Sequence, residues 1–147
     1  MAVENTVYDA YIGYRDGWAQ ERDDCDRMEV QLEEQIRRLK DTLSRLLVHE
    51  EQINDILSGL RMIPDSCSLW KGARAEDFFL QCTQGDLYEG YHRIRETVET
   101  TVQELESKLQ NLQSRLYQVR ENRRTADYYY GLWDQQADAL YIQGDAS

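Results

Sequence analysis

Leu32-Glu33-Glu34-Gln35-Ile36-Arg37-Arg38-Leu39-Lys40-Asp41-Thr42-Leu43-Ser44-Arg45-Leu46 is the stretch that decides the fold. Its apolar residues Leu32, Ile36, Leu39, Leu43 and Leu46 alternate steps of four and three, with charged and polar residues between them. That spacing lays side chains along one stripe of an α-helix, and its seven-residue repeat marks the seam of a coiled coil. Beyond Glu50 the series resumes at Ile53, Leu57 and Leu60, and backwards it runs through Met28, Cys25, Glu21, Trp18, Tyr14 and Tyr11. Neither proline nor glycine falls between Trp18 and Ser58. The pattern predicts one helix over about residues 6–60.

Punctuation follows. Gly59, Pro64, Asp65, Ser66 and Ser68 cluster together, and Pro64 disfavours helix at Ile63. Asp65, Ser66 or Ser68 is the expected cap of the next helix. The seam then returns at Leu87, Tyr91, Ile94 and Val98, takes a four-plus-four stutter, and continues through Val102, Leu105, Leu109, Leu112, Leu116 and Val119. Gly85 and Gly90 weaken the start of this second helix by about 1 kcal/mol each relative to alanine, so a kink near Gly85 is expected. The expected fold is all-α, a long antiparallel two-helix hairpin with coiled-coil character. As one domain over 1–147, it has helix 1 at about 6–60, a turn at 61–72, helix 2 at about 73–140 and a frayed tail at 141–147. Residues facing each other across this hairpin should have numbers adding to about 133. Two helices bury only one seam between them, so a partner is expected to supply further helices.

Composition narrows the function. The chain has 147 residues, 28 acidic and 17 basic, for a net charge of −11. That balance disfavours nucleic-acid binding. No apolar run approaches the ~18 residues of a membrane span, so no membrane insertion is expected. Met1-Ala2-Val3-Glu4-Asn5 lacks the basic start and apolar core of a secretory signal peptide. Cys25, Cys67 and Cys82 form no Cys-x-x-Cys pair, and His49 and His92 lie far apart, so no metal site is read. Free thiols in a reducing compartment are the simplest reading, with a Cys67–Cys82 bridge as the alternative. No nucleophile elbow, phosphate loop or zinc-protease motif occurs, and neither catalytic residue nor cofactor is assigned. The chain reads as a binding protein rather than an enzyme.

Charge and aromatic rings gather at the two chain ends. Residues 1–30 carry a net −5 and residues 121–147 a net −3, and these segments hold seven of the ten tyrosines. Tyr11, Tyr14 and Trp18 are in register with the seam. Tyr128, Tyr129 and Tyr130 are consecutive, so they fan over ~200° of a helix and at least one must face away from the seam. Tyr128 and Trp133 are candidate interface residues, since such rings combine contact area with a polar handle.

The sharpest local motif is Leu69-Trp70-Lys71-Gly72, followed by Ala75 and Phe78-Phe79. An indole beside a glycine at the break between two long helices resembles the WXG superfamily of helical hairpins associated with type VII secretion in Gram-positive bacteria. Trp70, Gly72, Ala75 and Phe78 match that pattern. The extended helices look most like the longer hairpins encoded beside LXG toxins. The family's second mark is Tyr-x-x-x-Asp/Glu, matched by Tyr130/Asp134 and Tyr141/Asp145; Tyr117/Glu121 also fits but lies inside the coiled-coil region. A spacing of four puts ring and carboxylate on one helix face.

The resemblance implies a targeting factor or chaperone that pairs with an LXG toxin domain or another WXG-like protein, with the secretion ATPase as a further partner. It implies that Trp70, Gly72, Tyr130, Asp134, Tyr141 and Asp145 contribute to a secretion signal, and that Phe78 and Phe79 contact the partner. Trp70 also has a plainer role open to it, capping the seam. The implied location is the cytoplasm, with export through the type VII system, without a cleaved signal peptide, as the other outcome. The competing reading is a self-associating coiled-coil scaffold, a homodimer with no secretion role, because a leucine seam alone fixes neither partner nor number.

Overall fold

The computed structural model describes the backbone of residues 2–67 and 69–146, and the side chains of residues 5–67 and 69–144. The protein is all-helical, with α1 at Ala2–Ser66, α2 at Ala73–Thr83 and α3 at Asp86–Ala146. No strand occurs among the described residues. The contacts divide into two compact units, one of Met1–Ile36 with Asn111–Ser147 and one of Arg37–Gln110. A two-helix seam gives each side chain partners only near its own level, so contacts along it fall readily into separate clusters.

The first unit pairs the start of α1 with the end of α3, antiparallel. Cys25, Leu32 and Ile36 are buried from α1, and Leu112, Leu116, Val119, Ala126 and Ala137 from α3. Partners across the pair have numbers adding to 149 in Arg15–Asp134, Arg22–Asp127, Arg123–Asp26 and Arg120–Glu29. The expected 133 is therefore corrected, and Trp18 lies against Tyr129 rather than Leu116.

The second unit holds the end of α1, α2 and the start of α3, and its core includes Leu43, Leu57, Cys82 and Val102. Arg61 of α1 hydrogen-bonds the Tyr88 hydroxyl of α3 and lies 5.1 Å from the ring centroid. This unit explains the miscount. Helix does not stop at residue 60: α1 runs on through Pro64 to Ser66. The proline's fixed φ suits a helix and costs one N–H, and the Cys67 N–H still reaches the Ile63 carbonyl at 2.9 Å. The stretch expected as a turn, 61–72, is therefore helical over its first half. After Gly72 the chain enters α2, which spans eleven residues, and α3 follows. Arg61 and Tyr88 also add to 149, so the reversal is centred about eight residues later than the turn punctuation implied.

The break near Gly85 is real, because α2 ends at Thr83 and α3 starts at Asp86. A Cβ at Gly85 would stand 2.9 Å from the Gln81 Cα, too close for any side chain. The Leu87 N–H donates to the Gln81 Oε1 at 3.4 Å across this break. The expected tail from residue 141 is instead the last turn of α3, which extends to Ala146. Neither proline nor a positive-φ glycine intervenes to stop it.

Candidate partner-binding surfaces

The Trp-x-Gly stretch lies in the second unit, between α1 and α2. The Trp70 N–H donates to the Cys67 carbonyl at 2.9 Å, which closes a tight bend directly after α1. Gly72 then takes φ 111° and ψ 170°, a region that only glycine enters freely. It stands at the N-cap of α2, where its carbonyl accepts from the Glu76 N–H at 3.0 Å. Its lack of a side chain leaves α2 without a side-chain cap. The expected caps Asp65 and Ser66 precede the bend and belong to α1, and Ser68 lies outside the described residues.

This backbone leaves the apolar residues around it in the open. Leu69 is 90% exposed and Trp70 58%. Trp70, Lys71, Arg74, Ala75 and Phe78 line an open groove. Ala75 and Phe78 lie in the first and second turns of α2 and line the groove with Trp70. Phe79 is half-buried, with its ring 6.3 Å from that of Phe78. Trp70 therefore does not cap the buried seam.

The tyrosine-acid residues lie in the first unit, where Tyr130 and Asp134 are engaged. Asp134 accepts from Arg15 Nη1 at 3.1 Å, and this bond, followed by one to Asp16, holds the Arg15 guanidinium pKa above its ordinary value. The Arg22 guanidinium sits 4.7 Å from the Tyr130 ring centroid. Trp133 packs between Tyr11 and Tyr14 at 5.1 and 4.9 Å, and Trp18 stacks on Tyr129 at 4.9 Å. Tyr128 is the outward ring of the three, 67% exposed, with Tyr129 at its edge. Tyr141 touches Tyr8 at 6.4 Å and is otherwise exposed. The Asp145 side chain lies outside the described residues.

Sequence reasoning missed how the seam continues past Val119. The same four-three stepping lands on Arg123, Ala126, Tyr130, Trp133, Ala137 and Leu140. Ala126 and Ala137 are almost fully buried, at 0% and 1% exposure. The stepping itself was the available signal, but alanine weighs little in an apolar count and Arg123 interrupts the run. Arg123 is held by Asp26 at 2.7 Å, and Arg120 by Glu29 and Glu33 at 3.0 Å each. Those two carboxylates raise the Arg120 pKa, Glu29 first.

All three cysteines are free thiols, with Cys25 and Cys82 buried and Cys67 half-buried. Burial raises the Cys25 pKa above its ordinary 9.0, and Glu21, Asp26 and Asp24 add to the effect. Among the described residues no group of His, Cys, Asp or Glu side chains could hold a metal ion. No described helix is long and apolar enough to cross a membrane. No family model, curated protein or solved structure matches the chain.

Proposed function

We propose that this chain is a partner-binding helical hairpin of the type VII secretion kind, with Trp70-x-Gly72 at its turn. It would pair with an LXG toxin domain or a WXG-like protein and help target that partner for export. The observation that carries the reading is the exposure of Trp70 beside a glycine held at φ 111°. A ring that contributes little to the protein's own core, set on a bend only glycine accommodates, suits recognition better than folding. Aromatic residues of this kind dominate the energetics of protein interfaces. Further exposed apolar residues of the same unit, among them Met62, Leu80 and Leu87, give a helical partner surface to cover.

Tyr130 and Asp134 have a different standing in this reading. Their contacts with Arg22 and Arg15 order the first unit, so a receptor would read the outward edges of a preformed surface. Export of the partner protein by Trp70→Ala and Tyr130→Ala variants tests the assignment. Loss of export with the complex intact is expected for both. Normal export of the Trp70 variant would sink the reading. The leucine seam also suits a self-associating scaffold, and a stable homodimer indifferent to the product of the neighbouring gene would favour that instead.

A further inference from the structure

In a protein of net charge −11, the groove at the start of α2 is a basic exception. Elsewhere Arg15, Arg22, Arg27, Arg120, Arg123 and Arg124 form ion pairs, whereas Lys40, Arg45, Arg93, Lys108 and Arg115 form none among the described residues but do not line this groove. Lys71 and Arg74 also form none among the described residues. They line the groove with Trp70, Ala75 and Phe78. Glu76 and Asp77, the acids of the same turn, do not line it.

We infer that this groove binds an acidic amphipathic helix of another protein, with an apolar side chain seated between Trp70 and Phe78 and its carboxylates on Lys71 and Arg74. Uncommitted cations beside exposed rings select for a ligand that is apolar and anionic together. A cation of the ligand would find no carboxylate on the wall. A broad anionic bilayer fits less well, because Glu76 and Asp77 flank the groove residues in sequence and are exposed. A second copy of this chain brings another −11 with it, and that repulsion opposes self-docking. The assignment does not depend on a role in secretion, since it follows from the groove's own chemistry.

The test is heteronuclear NMR of the full chain, following the indole N–H of Trp70, assigned by its loss in Trp70→Phe. The probe is a helical peptide of Leu and Glu in heptad spacing. The Trp70 signal is expected to move while the signals of Trp18 and Trp133 stay in place. Lys71→Glu with Arg74→Glu should weaken the affinity by roughly tenfold or more. Ala75→Phe, which keeps both cations but fills the groove, should weaken it as well. Both sites are away from the buried core, and circular dichroism verifies that the helices persist. An unmoved Trp70 signal, or equal affinity in the charge-reversed variant, would overturn the inference. Movement caused by phosphatidylglycerol vesicles but not by the peptide would give the groove to a membrane surface instead. Movement on concentrating the protein alone would give it to a second copy.

Discussion

Gly72 and Gly85 are both indispensable, for different reasons. Gly72 has open space around it but a backbone conformation closed to other residues. Gly85 has an ordinary φ but no room, with the Gln81 Cα at 2.9 Å. Gly72→Ala should therefore cost about 1–3 kcal/mol through strain, and Gly85→Ala a comparable amount through crowding. Urea titrations would measure both. Gly59→Ala is the control: it lies inside α1 with open space around it, so alanine should be neutral or stabilising there. Cys25 makes a second prediction at this scale. Its pKa is raised in the folded protein, so its contribution to stability is fully present below pH 9.0 and is lost as pH rises through the folded value. The fall in unfolding midpoint between neutral and strongly alkaline pH should be smaller in Cys25→Ala. An equal fall in both proteins would remove Cys25 from the explanation.

At the scale of elements, the seam of α1 was legible in the sequence because leucine and isoleucine at four-three spacing have few other uses. Leu32, Ile36, Leu43 and Leu57 are all buried as that spacing requires. The last third of α3 was harder to read, because its buried positions are alanines and its large rings are spread between seam and surface. Ala126→Leu should force side chains aside and cost about 1–3 kcal/mol. Gln136→Leu, on the exposed side of the same helix, should shift stability by less than about 0.5 kcal/mol. Equal costs would mean that α1 and α3 are less closely packed at Ala126 than its zero exposure implies. The turn was misjudged for another physical reason. Pro64 breaks helices on average, but α1 continues through it to Ser66, and nothing in the local composition announced that helix would carry past the proline.

For the whole molecule, the charge and the apolar surface pull in opposite directions. A charge of −11 keeps copies apart, whereas exposed Met62, Leu69, Trp70, Leu80 and Ile94 favour association with something. A neutral or basic apolar partner resolves the conflict along the helices, and an acidic one only at the groove of Lys71 and Arg74. Light scattering on the purified chain, alone and with the product of the neighbouring gene, should give a one-to-one complex that unfolds at a higher temperature than the chain by itself. A chain whose mass and unfolding temperature ignore that product would point to the scaffold instead. The candidate site was only half readable at this level. Residue types flagged Trp70 and Tyr130, but which ring stands in solvent and which is covered by an arginine depends on register, and register depends on where the chain turns.

The constant sum across the first unit has a bearing on how such a protein can change over time. Arg15, Arg22, Asp26 and Glu29 each face a fixed counterpart on α3. One inserted codon between residues 15 and 22 would swing everything before it by about 100°, parting Arg15 from Asp134 and turning Tyr11 and Tyr14 off Trp133. Substitution can therefore proceed one position at a time in this unit, whereas insertions and deletions survive only as whole heptads made in both helices at the same level.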